Sequence, residues 1–163
     1  MDVQPFSRSR SGYSLIEVMI ALVVLSIGML GIAGLTVGAL KDTRGAFNRT
    51  KAVAFAWDMA ERIRANRTAG AAYAGAGANG NCFATASVTA PSSCNSATLA
   101  AHDIFEWQAA LADTERGLPS GTGTVTFNNA TTPPTYIITV QWSDGRTAPP
   151  DDNAPAVTVV TQP

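Results

Sequence analysis

The pattern of apolar and polar positions divides this 163-residue chain into three regimes. A polar stretch gives way at Gly12 to an apolar run, GYSLIEVMIALVVLSIGMLGIAGLTVGAL, in which Glu17 is the single side chain charged at neutral pH. From Val18 to Leu40 there are 23 residues with neither charge nor proline. As a helix rising about 1.5 Å per residue, that run spans roughly 35 Å, enough to cross a bilayer core of about 30 Å with some tilt. Beyond it the pattern becomes amphipathic. In TKAVAFAWDMAERIRAN, Ala52, Phe55, Ala56, Met59, Ala60 and Ile63 recur at three- and four-residue spacing, opposite Asp58, Glu61, Arg62 and Arg64. One helix is therefore expected from Tyr13 to about Asn66, its second half turning a stripe to a small core and its charges to solvent. Arg62, Arg64 and Arg67 near its end complement the helix dipole.

The third regime is mixed. Residues 69–98 are rich in Ala, Gly, Ser, Thr and Asn, and Thr68 to Asn81 reads as a Gly/Ala loop leading to Cys82 and Cys94. A second helix is expected from about Ala97 to Arg116, with Ile104, Trp107, Gln108 and Leu111 as its stripe and Gly117 and Pro119 as stop signals. His102 and Asp103, near its start, are expected in a solvated turn. Alternating β-formers predict strands from Gly123 to Asn128 and Thr135 to Trp142, paired antiparallel across a loose loop. A proline-rich loop then precedes a third, edge strand from Val157 to Thr161. The fold class is α+β, a long N-terminal helix laid on a small antiparallel sheet.

The junction carries the most specific chemistry. A head with Arg8 and Arg10 ends at Gly12, and Glu17 lies five residues further on, where a buried charge costs roughly 2–3 kcal/mol or more. The segment Gly12-Tyr13-Ser14-Leu15-Ile16-Glu17-Val18 resembles the prepilin cleavage motif of type IV pilins and of type II secretion pseudopilins. The usual first mature residue of that family is phenylalanine; Tyr13 keeps the aromatic ring. The continuation from Ala21 to Leu35, and Asp58 to Asn66, are similar to the PilV type of minor pilin.

The resemblance implies a plan: residues 1–12 a leader, 13–40 a transmembrane and filament-core helix, 41–66 its amphipathic continuation, and 67–163 a small exported head. It further implies cleavage between Gly12 and Tyr13 by a prepilin peptidase, N-methylation of Tyr13, and a role for Glu17 in assembly. The implied partners are that peptidase, other minor and major pilins, and inner-membrane lipid before assembly. The chain would cross the inner membrane once, its C-terminal region in the periplasm, and then enter a filament outside the cell. A minor pseudopilin of type II secretion is the alternative within the family, and a membrane-anchored enzyme the alternative from another class.

Composition narrows the choice. Without the head the side chains balance at 9 basic against 11 acidic, which is no electrostatic footprint for nucleic acid. With one histidine, His102, and no nucleophile beside a base, no catalytic residue, cofactor or metal site is expected. Cys82 and Cys94 would be two free thiols in the cytoplasm. If this part is exported they are expected to be joined, closing a short loop for roughly 3 kcal/mol on the chain-entropy account. Flanking charge does not choose the topology, because Lys41, Arg44, Arg49 and Lys51 follow the span as Arg8 and Arg10 precede it; the resemblance does. Gly28, Gly31, Gly34 and Gly38 fall near one helical face, where they either let another helix approach closely or are simply tolerated in lipid. Glycine also weakens a helix, so this half is a place where it could bend or unwind during assembly.

Overall fold

The computed structural model describes residues 12–83, 92–145, 147, 149, 151 and 153–163. Residues 1–11 of the expected 1–12 leader, with Arg8 and Arg10, lie outside them, as do residues 84–91 between the two cysteines and part of the proline-rich loop. The elements are helix α1 (Leu15–Ala65), a 3-10 segment (Arg67–Ala74), helix α2 (Ser96–Ala112) and strands β1 (Thr122–Asn128), β2 (Thr135–Gln141) and β3 (Ala156–Thr161). The chain divides into two units, Met1–Thr43 and Arg44–Pro163.

In the first unit α1 is helical throughout, across all four glycines, although each costs a helix in water about 1 kcal/mol against alanine. Ser26 and Thr36 donate their hydroxyls to the carbonyls of Leu22 and Ile32, at 2.7 and 2.9 Å. Polar groups closed on their own helix are what a hydrocarbon environment demands.

The second unit is built around the amphipathic part of α1. Ala52, Ala56, Met59, Ala60 and Ile63 share one core with Trp107 and Leu111 of α2 and with Tyr136, Ile138 and Val140 of β2. The sheet has order β1-β2-β3, antiparallel throughout, with Val125 opposite Ile138 and Ile138 opposite Val159. Period-two alternation puts Gly123, Val125 and Phe127 on the same inner face as Tyr136, Ile138 and Val140. On the other face Thr124, Thr139 and Thr158 line up across the three strands. Each strand begins or ends within one residue of its sequence expectation. Gly123 has no alternative: a Cβ there would lie 2.3 Å from the Trp107 ring. That approach lets Trp107 sit over β1 while its Nε1 donates to the carbonyl of Phe55 at 2.9 Å, joining α2 to α1.

Four expectations need correction. Helix α2 stops at Ala112, four residues short of Arg116. The carboxylate of Asp113 accepts the backbone N–H groups of Glu115 and Arg116, at 2.9 and 2.6 Å, and this local bonding outcompetes another helical turn. The Gly/Ala stretch after Thr68 is not all loop. Its start is the 3-10 segment, anchored by Tyr73, fully buried and edge-on to Tyr136 at a ring distance of 6.4 Å. His102 and Asp103 are buried, at 4% and 6% exposure, not solvated. They lie within α2, where Ala100, Asp103, Ile104, Trp107 and Leu111 recur on the stripe that faces the core. Gln108, expected on that stripe, is exposed, yet its Nε2 donates to the Gly123 carbonyl at 3.2 Å.

Candidate functional site

Tyr13 precedes α1 and is 85% exposed. The helix then starts at Leu15, and the carbonyl of Ser14 accepts the N–H groups of Glu17 and Val18 at 3.0 and 3.3 Å. Glu17 thus stands in the first helical turn, where the unpaired N–H groups and the dipole favour a carboxylate. Ser14 and Glu17 also have the spacing of a capping box, a start signal legible in the sequence.

From Leu15 to Leu40 the large apolar side chains are at least half exposed. This is the one helix among the described residues long and apolar enough to cross a membrane. A Cβ placed at Gly28, Gly31, Gly34 or Gly38 would meet no atom within 4 Å. The surface therefore keeps open ground for another backbone, and its apolar area is satisfied only by lipid or by other helices.

The two expected cysteines are brought together. Cys82 and Cys94 form a disulfide with Cα atoms 5.7 Å apart. It sits against the start of α2, where Asn95 caps the helix by accepting the Thr98 N–H at 2.9 Å.

Sequence reasoning missed a polar cluster that ties the end of α1 to α2. Arg62 Nη1 lies 3.1 Å from Asp103 Oδ1 and 3.6 Å from Glu106, while its Nε donates to Asp58 at 3.0 Å. Tyr73 donates its hydroxyl to Asp103 Oδ2 at 2.7 Å and stands 3.1 Å from the Arg62 carbonyl. Asn66 adds a bond to the Ser96 carbonyl at 2.8 Å. Partial burial works against the Arg62 charge, but Asp58 and Asp103 outweigh it and hold the guanidinium above its ordinary range. Burial, reinforced by the Asp103 carboxylate, pushes the Tyr73 phenol up as well. A carboxylate held by a guanidinium and a phenol is a clasp: it positions elements and offers no nucleophile. Among the described residues no group of three or more His, Cys, Asp or Glu could hold a metal ion. The available signal was the place of Asp103 on the apolar face of α2.

Comparison with known families adds two matches. Residues 34–105 match the family described as Type IV pilin Tt1218, and residues 7–33 match the prokaryotic N-terminal methylation motif. The first covers the later part of α1, the 3-10 segment, the disulfide and the start of α2; the second covers Gly12, Tyr13 and Glu17. No curated protein and no solved structure matches the chain.

Proposed function

We propose that this chain is a type IV pilin and, within that family, a minor pilus subunit of the PilV type. A prepilin peptidase cuts between Gly12 and Tyr13 and methylates the new amine. The apolar half of α1 holds the subunit in the inner membrane, with the disulfide-bonded unit in the periplasm, until it is drawn into the filament core. The observation that carries the reading is the geometry of α1: an exposed apolar surface whose one carboxylate, Glu17, stands in the first turn. The disulfide supports an exported second unit, since such bonds persist in oxidising compartments.

Glu17 then acts as a docking group. In lipid or in a packed helical core a lone carboxylate is costly, and a methylated amine at Tyr13 of a neighbouring subunit offsets that cost when the register is right. Glu17→Ala is expected to insert in the membrane and be cleaved, yet be absent from sheared pili. Fractionation with an antibody to the second unit, beside N-terminal sequencing, checks this. Normal amounts of the variant in pili would overturn the docking role, and an uncleaved variant would move Glu17 to peptidase recognition. Gly12→Val is expected to block cleavage, because a branched side chain crowds the scissile position. A minor pseudopilin of type II secretion would use the same parts; co-purification of the membrane-extracted protein with low-abundance pilins or with secretion components separates the two.

A further inference from the structure

The disulfide loop enters α2 through an uncharged approach, Gly77-Ala78-Asn79-Gly80-Asn81-Cys82-Phe83. It docks closely: a Cβ at Gly77 would lie 2.8 Å from the backbone nitrogen of Phe105. Two backbone donors fasten it. Ala78 N–H donates to the Ala101 carbonyl at 2.9 Å, and Gly80 N–H donates to Nδ1 of His102 at 3.3 Å. Phe83 closes over the imidazole with its ring centroid 5.4 Å away.

The second bond sets the state of the ring. Nδ1 can accept only when it carries no proton, so the hydrogen of the neutral imidazole is on Nε2. Among the described residues that atom is buried without a hydrogen-bond partner, and Oε1 of Glu106 stands 3.4 Å away. A second proton has one place to go, Nδ1, and there it meets the Gly80 N–H. The protonated ring has two donors and no acceptor, so it loses the loop and gains a charge pair with Glu106 on its own helix.

We infer that His102 is a proton-operated latch: neutral, it holds the approach to the Cys82–Cys94 loop on α2, and charged, it turns to Glu106 and lets Gly80 go. The surrounding charges fit this assignment. On α2, Glu106 and Asp103 face the region; from α1, Arg62 spans both carboxylates and is itself paired with Asp58; from the 3-10 segment, Tyr73 binds Asp103. The approach from Gly77 to Phe83 brings no charge that could replace the lost bond. The latch is independent of whether the subunit serves a pilus or a secretion system.

The test uses the full chain in detergent micelles. Amide exchange at Gly80 and Ala78, corrected for intrinsic rates, is followed between about pH 8 and pH 5. Gly80 is expected to lose about fivefold or more in protection on acidification, the factor carried by one net hydrogen bond, while core amides of α2 keep theirs. His102→Asn, whose amide oxygen supplies an acceptor near the Nδ1 position and does not titrate, is expected to protect Gly80 equally at both ends. Imidazole nitrogen shifts of the unsubstituted protein give a second readout that needs no variant: at high pH Nδ1 must be the unprotonated nitrogen. The opposite tautomer would overturn the latch. So would a ring that titrates while Gly80 protection stays constant, a ring that stays neutral to pH 5, or the same loss of protection in His102→Asn.

Discussion

Asp103 shows how much one side chain can decide. Its two oxygens take the guanidinium of Arg62 and the hydroxyl of Tyr73, which brings α1, the 3-10 segment and α2 to one point. Asp103→Ala leaves a half-buried guanidinium short of its innermost partner and Tyr73 with the Arg62 carbonyl in place of its carboxylate acceptor. The expected cost is about 2–4 kcal/mol, near or below the range for breaking a buried pair because Asp58 and Glu106 remain; denaturant unfolding of the full chain in detergent measures it. Tyr73 carries a linked prediction. Its phenol is held above the ordinary value of 10.0, so the native state keeps a proton that the unfolded chain releases. That contribution is complete below about pH 10 and is lost as pH rises toward the native value. The difference in unfolding midpoint between the protein and Tyr73→Phe should therefore shrink from about pH 9 to pH 11.

At the scale of elements, ends matter more than middles. The turn after α2 hangs on Asp113, whose carboxylate is held below its ordinary value by the N–H groups of Arg116 and Glu115. The sign is the reverse of the tyrosine: the stabilisation is present above about pH 4 and lost as pH falls through the native value. Asp113→Ala should remove that acid-sensitive part, with a smaller loss than Asp103→Ala and none of its effect on the end of α1. The contact of α2 with β1 depends on Gly123 in the opposite sense. Gly123→Ala puts a methyl into the Trp107 ring, and the expected loss is about 1–3 kcal/mol or more, as for other overpacked sites. Loss of the Trp107 hydrogen bond to Phe55, seen as a red-shifted fluorescence maximum, would mark the ring's displacement.

Across the whole molecule, two kinds of stability meet in one chain. The unit from Arg44 onward has its own core and a disulfide, while the helix before it exposes its apolar surface and is completed by its surroundings. Reducing the Cys82–Cys94 bond should therefore cost roughly 3 kcal/mol in the second unit and nothing in the first. Thermal unfolding with and without reductant, followed beside helix content, separates the two. Alkylation without reductant should label neither cysteine.

Local periodicity was enough for much of this. The uncharged run to Leu40, the stripe from Ala52 to Ile63 and the alternation in all three strands each report a neighbour-range pattern, and the structure places those elements within a few residues of expectation. The motif from Gly12 to Glu17 was legible for the same reason, as was the pairing of Cys82 with Cys94 once export was assumed. What tertiary structure decided depends on residues far apart in the chain. Asp103 reads as a solvated charge until Arg62, 41 positions earlier, is folded against it. Tyr73 reads as part of a Gly/Ala loop until Tyr136 gives it a wall to pack on. His102 reads as a lone exposed imidazole until the backbone of Gly80 arrives. A charge or ring inside a helix has the same local spacing whether it faces water or a partner; only packing determines which face is dry, and only there does burial make pairing obligatory.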